Sequence, residues 1–402
     1  MLWQPSLPER YRNATEEELG RAIAARRAEL GTKLLILGHH YQQDSVIRHA
    51  DLVGDSLKLS QMAAIEAPRR GSRYIVFCGV HFMAETADIL TADDVEVILP
   101  DLSAGCSMAD MAAYDDTVEA WRSIHEAIAA GPRGARVRVV PITYVNSSAA
   151  IKAFVGEHGG ACCTSSNAAR VFDWALAGGD EPRKPAEEIK ILFLPDQHLG
   201  RNTAKARGFV TEVDAAANRV EPDLALWNPK RDDGGLSPEE IRRAKVLVWA
   251  GHCSVHKLFR PEHVVAARKD GRRVLVHPEC AQEVVDLADL SGSTEFIIGE
   301  IGRAEPGSRW AVGTEVHLVN RLAAQAAGRG VDVRILSDCQ CLCTTMYRID
   351  QAHLSWCLDQ LAEGRVVNRI RVHPEARRLA RLALERMLRL APTSGRPAEV
   401  VD

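Results

Sequence analysis

Charge, apolar length and cysteine density are all limited in this chain, and each limit excludes something. Fifty basic against 54 acidic residues leave a formal charge of −4. That is too small an imbalance to argue for a nucleic-acid or membrane surface as partner, and no basic patch or helix-turn-helix pattern stands out. No apolar run approaches the ~18 residues of a membrane-spanning helix. Met1-Leu2-Trp3-Gln4-Pro5 lacks the basic-then-apolar plan of a secretory signal, so the expected location is the cytoplasm. Ten cysteines in 402 residues are too few for a disulfide scaffold. In a reducing compartment such thiols serve as buried hydrophobes, metal ligands or catalytic groups.

The remainder is 46% hydrophobic and 26% charged, which is ordinary for a globular chain. Its length predicts two to four domains. Thr15 followed by three glutamates reads as a helix N-cap and acidic first turn. β-rich runs then recur at Leu34–Leu37, Tyr74–Cys78, Val95–Leu99, Val137–Ile142, Ile189–Leu194, Val246–Trp249, Val274–Val276, Trp310–Val312 and Val331–Leu336. Ala-rich helical stretches such as Ser56–Ala67 separate them. This alternation predicts α/β layers with mainly parallel sheets. Beyond Arg348 the pattern is helical with no clear strand.

The pattern repeats. Leu34–Gly38 runs into His39, and Arg273–Val276 runs into His277. The interval from His39 to Ser56 equals that from His277 to Thr294, across Ala50-Asp51-Leu52-Val53-Gly54-Asp55 and Ala288-Asp289-Leu290-Ser291-Gly292-Ser293. A looser middle copy runs from Val137 through Tyr144-Val145-Asn146 to Cys163-Thr164-Ser165-Ser166. The copies end near Cys106, Cys253 and Cys343, and the intervals from His39 to Cys106 and from His277 to Cys343 differ by one position. In open α/β sheets, ligands sit at the carboxyl ends of strands. Three copies around a pseudo-threefold axis would aim three thiolates at one centre.

Three convergent thiolates suit zinc or an iron–sulfur cluster. Cys78 reads as strand core, and Cys162, Cys280 and Cys357 have no evident partner. Cys339-Gln340-Cys341-Leu342-Cys343 reads either as a small metal site of its own or as a reversible Cys339–Cys341 disulfide.

Several segments together resemble the quinolinate synthase family. They include Gly38-His39-His40-Tyr41-Gln42, Val53-Gly54-Asp55-Ser56-Leu57, Tyr144-Val145-Asn146-Ser147, Gly251-His252-Cys253-Ser254-Val255-His256, Val276-His277-Pro278-Glu279-Cys280, Gly313-Thr314-Glu315 and Cys343-Thr344-Thr345-Met346, in the family's order over roughly residues 33–350. The resemblance implies three similar three-layer α/β/α domains with pseudo-threefold symmetry around a central, cluster-containing cavity. It implies a [4Fe–4S] cluster on Cys106, Cys253 and Cys343. It implies condensation of iminoaspartate with dihydroxyacetone phosphate to quinolinate, in NAD biosynthesis, with iminoaspartate supplied by an L-aspartate oxidase or dehydrogenase. It also implies a site lined by His39, Tyr41, Ser56, Tyr144, Asn146, Ser165, His277, Glu279 and Thr294. The chain departs from some members in having Cys-x-Cys-x-Cys, not Cys-x-x-Cys-x-x-Cys, near the third ligand. Cys343 is preferred there because Thr-Thr-Met follows it.

The expected domains are 1–110, with an N-terminal helical extension, 111–257 and 258–346. Residues 347–402 form a C-terminal helical segment packing on the first domain. Ser56, Ser165 and Thr294 stand in small-residue loops before helices, where hydroxyls and N–H groups bind carboxylate or phosphate; the plainer reading is that they are N-caps. His39 and His277 can add charge or a hydrogen bond to the same anions. The expected proton carriers are Glu279, its pKa raised by desolvation, with Tyr41 and His39. Tyr144 can donate to an enolate oxygen. His252 and His256 read as outer partners of the cluster or as structural groups. Glu85, Asp196 and Glu315 are expected to fix loops or inter-domain contacts. The Asn228–Ser237 loop, with two glycines, is placed to close over substrate.

Overall fold

The structure is a computed structural model that describes residues 4, 6–131, 136–338 and 341–391. The expected Cys339–Cys341 disulfide therefore involves a residue, Cys339, outside the described ones. The chain is α/β, with parallel sheets in several layers.

The first sheet is built from β1 (Leu34–His39), β2 (Leu52–Gly54), β3 (Tyr74–Cys78) and β4 (Glu96–Ile98). The second is built from β5 (Arg136–Tyr144), β6 (Ala161–Cys163), β7 (Glu187–Leu194), β8 (Leu224–Trp227) and β9 (Val246–Trp249). The third comprises β10 (Arg273–Val276), β11 (Leu290–Ser291), β12 (Arg309–Gly313) and β13 (Asp332–Ile335). Their orders are β2-β1-β3-β4, β6-β5-β7-β9-β8 and β11-β10-β12-β13. With β8 set aside, all three sheets share one order. β8 is an extra edge strand inserted between β7 and β9, and it accounts for the length of the middle copy.

All pairings among these strands are parallel. β1 is buried along its whole length, as a strand covered by helices on both faces must be, which is why it reads as a continuous apolar run. Parallel crossovers also put every strand's carboxyl end on the same edge of its sheet, so residues that end or follow strands gather there.

The C-terminal residues serve both the first and the second sheet. A two-residue strand, β14 (Arg369–Ile370), adds antiparallel to β4, where sequence patterning shows no strand. The Gln351–Ala362 helix packs on the N-terminal helix Glu16–Leu30, and Pro374–Arg389 lies along Ala149–Glu157 of the second sheet. That last contact requires a glycine, because a Cβ on Gly156 would stand 2.0 Å from the Leu379 carbonyl oxygen. Gly156→Ala should therefore destabilise by ~1–3 kcal/mol through overpacking, outweighing the ~1 kcal/mol that alanine gains in helix propensity. A lowered urea midpoint would show it.

The Asn228–Ser237 loop does not reach the pocket described below. Pro229–Asp233 instead lines a surface groove with Asp116, Glu119, Ala120 and Ser123 of the Tyr114–Ala129 helix. It follows the inserted edge strand β8, at the far side of its sheet. Among the described residues, no helix is long and apolar enough to cross a membrane.

Candidate active site

His39 ends β1, Tyr144 ends β5 and His277 follows β10. Two positions further on come Tyr41, Asn146 and Glu279. Ser56 and Thr294 open the helices that follow β2 and β11, and Ser165 precedes Ala168–Leu176. Cys106, Cys253 and Cys343 follow β4, β9 and β13. One pocket is lined by all twelve of these residues, and by Asp55, Val80, Phe82, Met83, Met108, Val255 and His256 among others.

The three cysteine loops are built alike. Each is followed by a single helical turn, at Ala109–Met111, His256–Leu258 and Met346–Arg348. In each, the cysteine carbonyl accepts from the N–H four residues on: Asp110 at 3.1 Å, Lys257 at 3.2 Å and Tyr347 at 3.1 Å. In each, the backbone N–H three residues on, that of Ala109, His256 or Met346, acts to favour the ionised sulfur. Burial pushes the Cys106 thiol up to about 12, and it raises Cys253 and Cys343 as well. The three sulfurs are close enough that charge on one raises another: Cys343 acts on Cys106, and both act on Cys253. Without a metal they are thiols; a bound metal would displace three protons. Three sulfurs with matched N–H donors form a set that suits a thiophilic metal or cluster. Cys341 lies elsewhere, buried in the apolar core of the third sheet with Cys280, Ala311 and Leu336.

Beside the sulfurs runs a chain of polar contacts. Glu279 Oε2 stands 2.8 Å from His256 Nδ1, and His256 Nε2 stands 3.2 Å from Thr314 Oγ1. Thr314 Oγ1 is 2.9 Å from the Tyr41 hydroxyl, which is 3.1 Å from Thr294 Oγ1. Tyr144 lines the same pocket, and its hydroxyl acts to hold Glu279 down. The expected upward shift of Glu279 is reversed. Burial does act to raise it, but His256, with its hydrogen bond to the carboxylate, holds it below the usual carboxylate range. Burial raises both Tyr41 and Tyr144 well above an ordinary phenol.

His39 and His277 are neutral donors, not cations. Burial, joined by repulsion from His40 and His256 respectively, brings each down to about 3. Tyr41 N–H donates to His39 Nδ1 at 3.1 Å, and Glu279 N–H donates to His277 Nδ1 at 3.3 Å. Both rings therefore carry their proton on Nε2; that of His277 donates to Ser165 Oγ at 3.2 Å. In an unfolded chain each would titrate near ~6.5. The unfolded state then binds more protons between about 6.5 and about 3, so stability should fall as pH drops through that window. Urea midpoints measured from pH 7 to 4 should decline, and His277→Gln should decline less.

The hydroxyls of Ser56 and Thr294 are not helix caps. Asp55 caps the Ser56 helix by accepting from Lys58 N at 2.9 Å, and Ser293 caps the Thr294 helix through Phe296 N at 3.3 Å. Asn167 stands at the N-cap of the helix after Ser165. Glu85 accepts from Ala149 N–H at 2.9 Å, joining the first and second sheets, while Asp196 and Glu315 cap helices. Those three carboxylates hold loops in place, as expected from the sequence.

One member of the polar chain, Thr314, carries no role in the sequence reading, and a second, His256, reads there only as an outer partner of the cluster or a structural group. Thr314 follows β12, whose pairing with β10 places Gly313 O on His277 N at 3.1 Å. His256 is the third residue after Cys253, in the turn that all three cysteine loops share. That turn is the signal that identifies it.

Imidazoles, phenols, thiols and an ionised carboxylate gathered at the carboxyl ends of parallel strands make this pocket the candidate active site of an α/β fold. The family model described as "Quinolinate synthetase A protein" matches residues 21–389, and the chain belongs to this family. It is 50% identical to the quinolinate synthase of Acidobacterium capsulatum over 94% of this chain and 95% of that one. It is 51% identical to that of Herpetosiphon aurantiacus over 95% of each, and 50% identical to that of Streptomyces coelicolor over 92% and 88%.

Proposed function

We propose that the chain condenses iminoaspartate with dihydroxyacetone phosphate to quinolinate, with loss of phosphate and water, as a transferase of de novo NAD biosynthesis. Its cofactor is a [4Fe–4S] cluster on Cys106, Cys253 and Cys343. The three α/β/α units stand around a central cavity in pseudo-threefold fashion, and the enzyme works in the cytoplasm downstream of an L-aspartate oxidase or dehydrogenase. The observation that carries this reading is the thrice-repeated cysteine turn beside the Glu279–His256–Thr314–Tyr41 chain.

A three-thiolate cluster supplies an iron without a protein ligand, a Lewis acid that eases loss of water. The chain's own residues do the rest. Ser56, Ser165 and Thr294, near helix N-termini, offer donors to carboxylate and phosphate. Neutral His39 and His277 add N–H donors without charge. Glu279, held ionised by His256, accepts a proton through the imidazole, which regains one from the Tyr41 hydroxyl by way of Thr314. Tyr144 donates to a developing enolate oxygen, and Asn146 offers an amide at the same strand level.

The test is anaerobic iron and sulfide analysis, with quinolinate formation from the two substrates followed in parallel. About four irons per chain together with turnover is the expected result. A cluster without quinolinate would overturn the reaction. A second reading rests on Cys253, His256 and Glu279, whose ligand atoms lie within 4.8 Å of one another. A single zinc there would appear in the same analysis as one zinc and no sulfide.

A further inference from the structure

Outside the pocket, the Cys106 and Cys343 loops touch each other. Asp101, buried to 5% exposure, organises the loop that leads to Cys106. Its Oδ1 accepts from Ser103 N at 2.8 Å, from Ser103 Oγ at 2.7 Å and from Gln4 Nε2 at 2.8 Å. Gln4 Oε1 in turn accepts from Leu102 N at 2.8 Å. On the other side, the turn after Cys343 contains Arg348, whose Nη1 donates to Ser103 Oγ at 3.1 Å. His353, on the helix that this turn enters, brings Nε2 to 4.0 Å from Asp101 Oδ2. Gln42, next to Tyr41, donates to the Met346 carbonyl at 3.1 Å in the same turn.

A cluster ligand on a loop is lost when that loop opens locally. Two ligand loops tied together cannot open independently, and a site is held to its productive geometry by what supports its ligands. We infer that Asp101, Ser103, Arg348 and His353 form a clasp that fixes the spacing of the Cys106 and Cys343 sulfurs, and that the C-terminal helical segment is retained for this positioning role. The inference rests on the three-cysteine reading of the site.

The test compares Asp101→Ala and Arg348→Met with Asp359→Asn. Asp359 lies on the same Gln351–Ala362 helix but binds Tyr11 and Arg26 of the N-terminal region, each at 2.7 Å. It loosens the same helix without touching the clasp. Arg348 is exposed, so its variant keeps the fold if Asp101→Ala does not. Iron release to a chelator from the anaerobic holoprotein should be about tenfold faster in the clasp variants and unchanged in Asp359→Asn. Release at the wild-type rate, or no faster than in Asp359→Asn, overturns the clasp. Binding of a dithiol-bridging arsenical to metal-free protein reads sulfur spacing without iron. It should weaken in the clasp variants alone, and equal binding in all proteins overturns the clasp as well. Wild type that takes up no iron overturns the cluster reading, and the arsenical then decides the clasp by itself.

Discussion

Cys343→Ser should strip the pocket of iron and reduce quinolinate formation by ~10³-fold or more, the scale on which a Lewis-acid metal stabilises developing charge. Cys341→Ser should leave both intact. The two residues are two positions apart in the chain's Cys-x-Cys pattern, yet their surroundings differ. Cys343 lines the pocket, is acted on by the N–H of Met346 and lies close enough to act on Cys106 and Cys253. Cys341 packs with Val276, Ala311 and Leu336 in the core of the third sheet. Serine at position 341 costs packing, to be seen as a lowered melting temperature, but no cluster ligand. Iron, sulfide and turnover measured together on both variants give the answer. Loss of iron from Cys341→Ser with retention by Cys343→Ser would reverse the ligand assignment.

The strands were legible in the sequence wherever they are long and covered on both faces. Leu34–Leu37 and Ile189–Leu194 are apolar runs because helices bury them on either side. β2, β11 and β14 span only two or three residues each, and their backbone is held by a neighbouring strand more than by their own side chains, so no pattern announces them. β6, at Ala161–Cys163, is absent from the expected strands for the same reason. That the strand-end residues gather in one pocket was legible from position, since parallel crossovers put every strand's carboxyl end on one edge of its sheet. What was not legible is charge. The expectation for Glu279 came from burial alone, and burial does oppose its ionisation. The group that reverses the outcome, His256, arrives from the end of another sheet's last strand, and no local pattern links the two. The capping roles of Asp55 and Ser293 are a milder case: each sits immediately before the hydroxyl that the plainer sequence reading makes the cap, and only backbone dihedrals separate the two choices.

Thr314→Val should lower kcat by ~10²-fold, the usual scale of a lost acid–base contribution, while leaving KM and cluster content near wild type. Valine keeps the shape and removes the hydroxyl that stands 2.9 Å from Tyr41 and 3.2 Å from His256. It breaks the chain at its middle without removing either end, and it touches no cysteine. Tyr41→Phe should match it, and the double variant should be no worse than either single one, since both remove the same path. Glu279→Gln should be the most severe, because it leaves His256 in the buried site without its anion. The pH dependence separates this scheme from a general acid with a raised pKa. Glu279 is held below the ordinary carboxylate range, so it stays ionised as pH falls through ~4–7, and kcat/KM should show no protonation step from it there. The carboxylate's contribution to stability is likewise present throughout that range and is lost only below it. An inflection between ~5 and 7 that disappears in Glu279→Gln would mean the carboxyl group enters the cycle protonated, and the direction of proton flow along the chain from Tyr41 to Glu279 would have to be reversed.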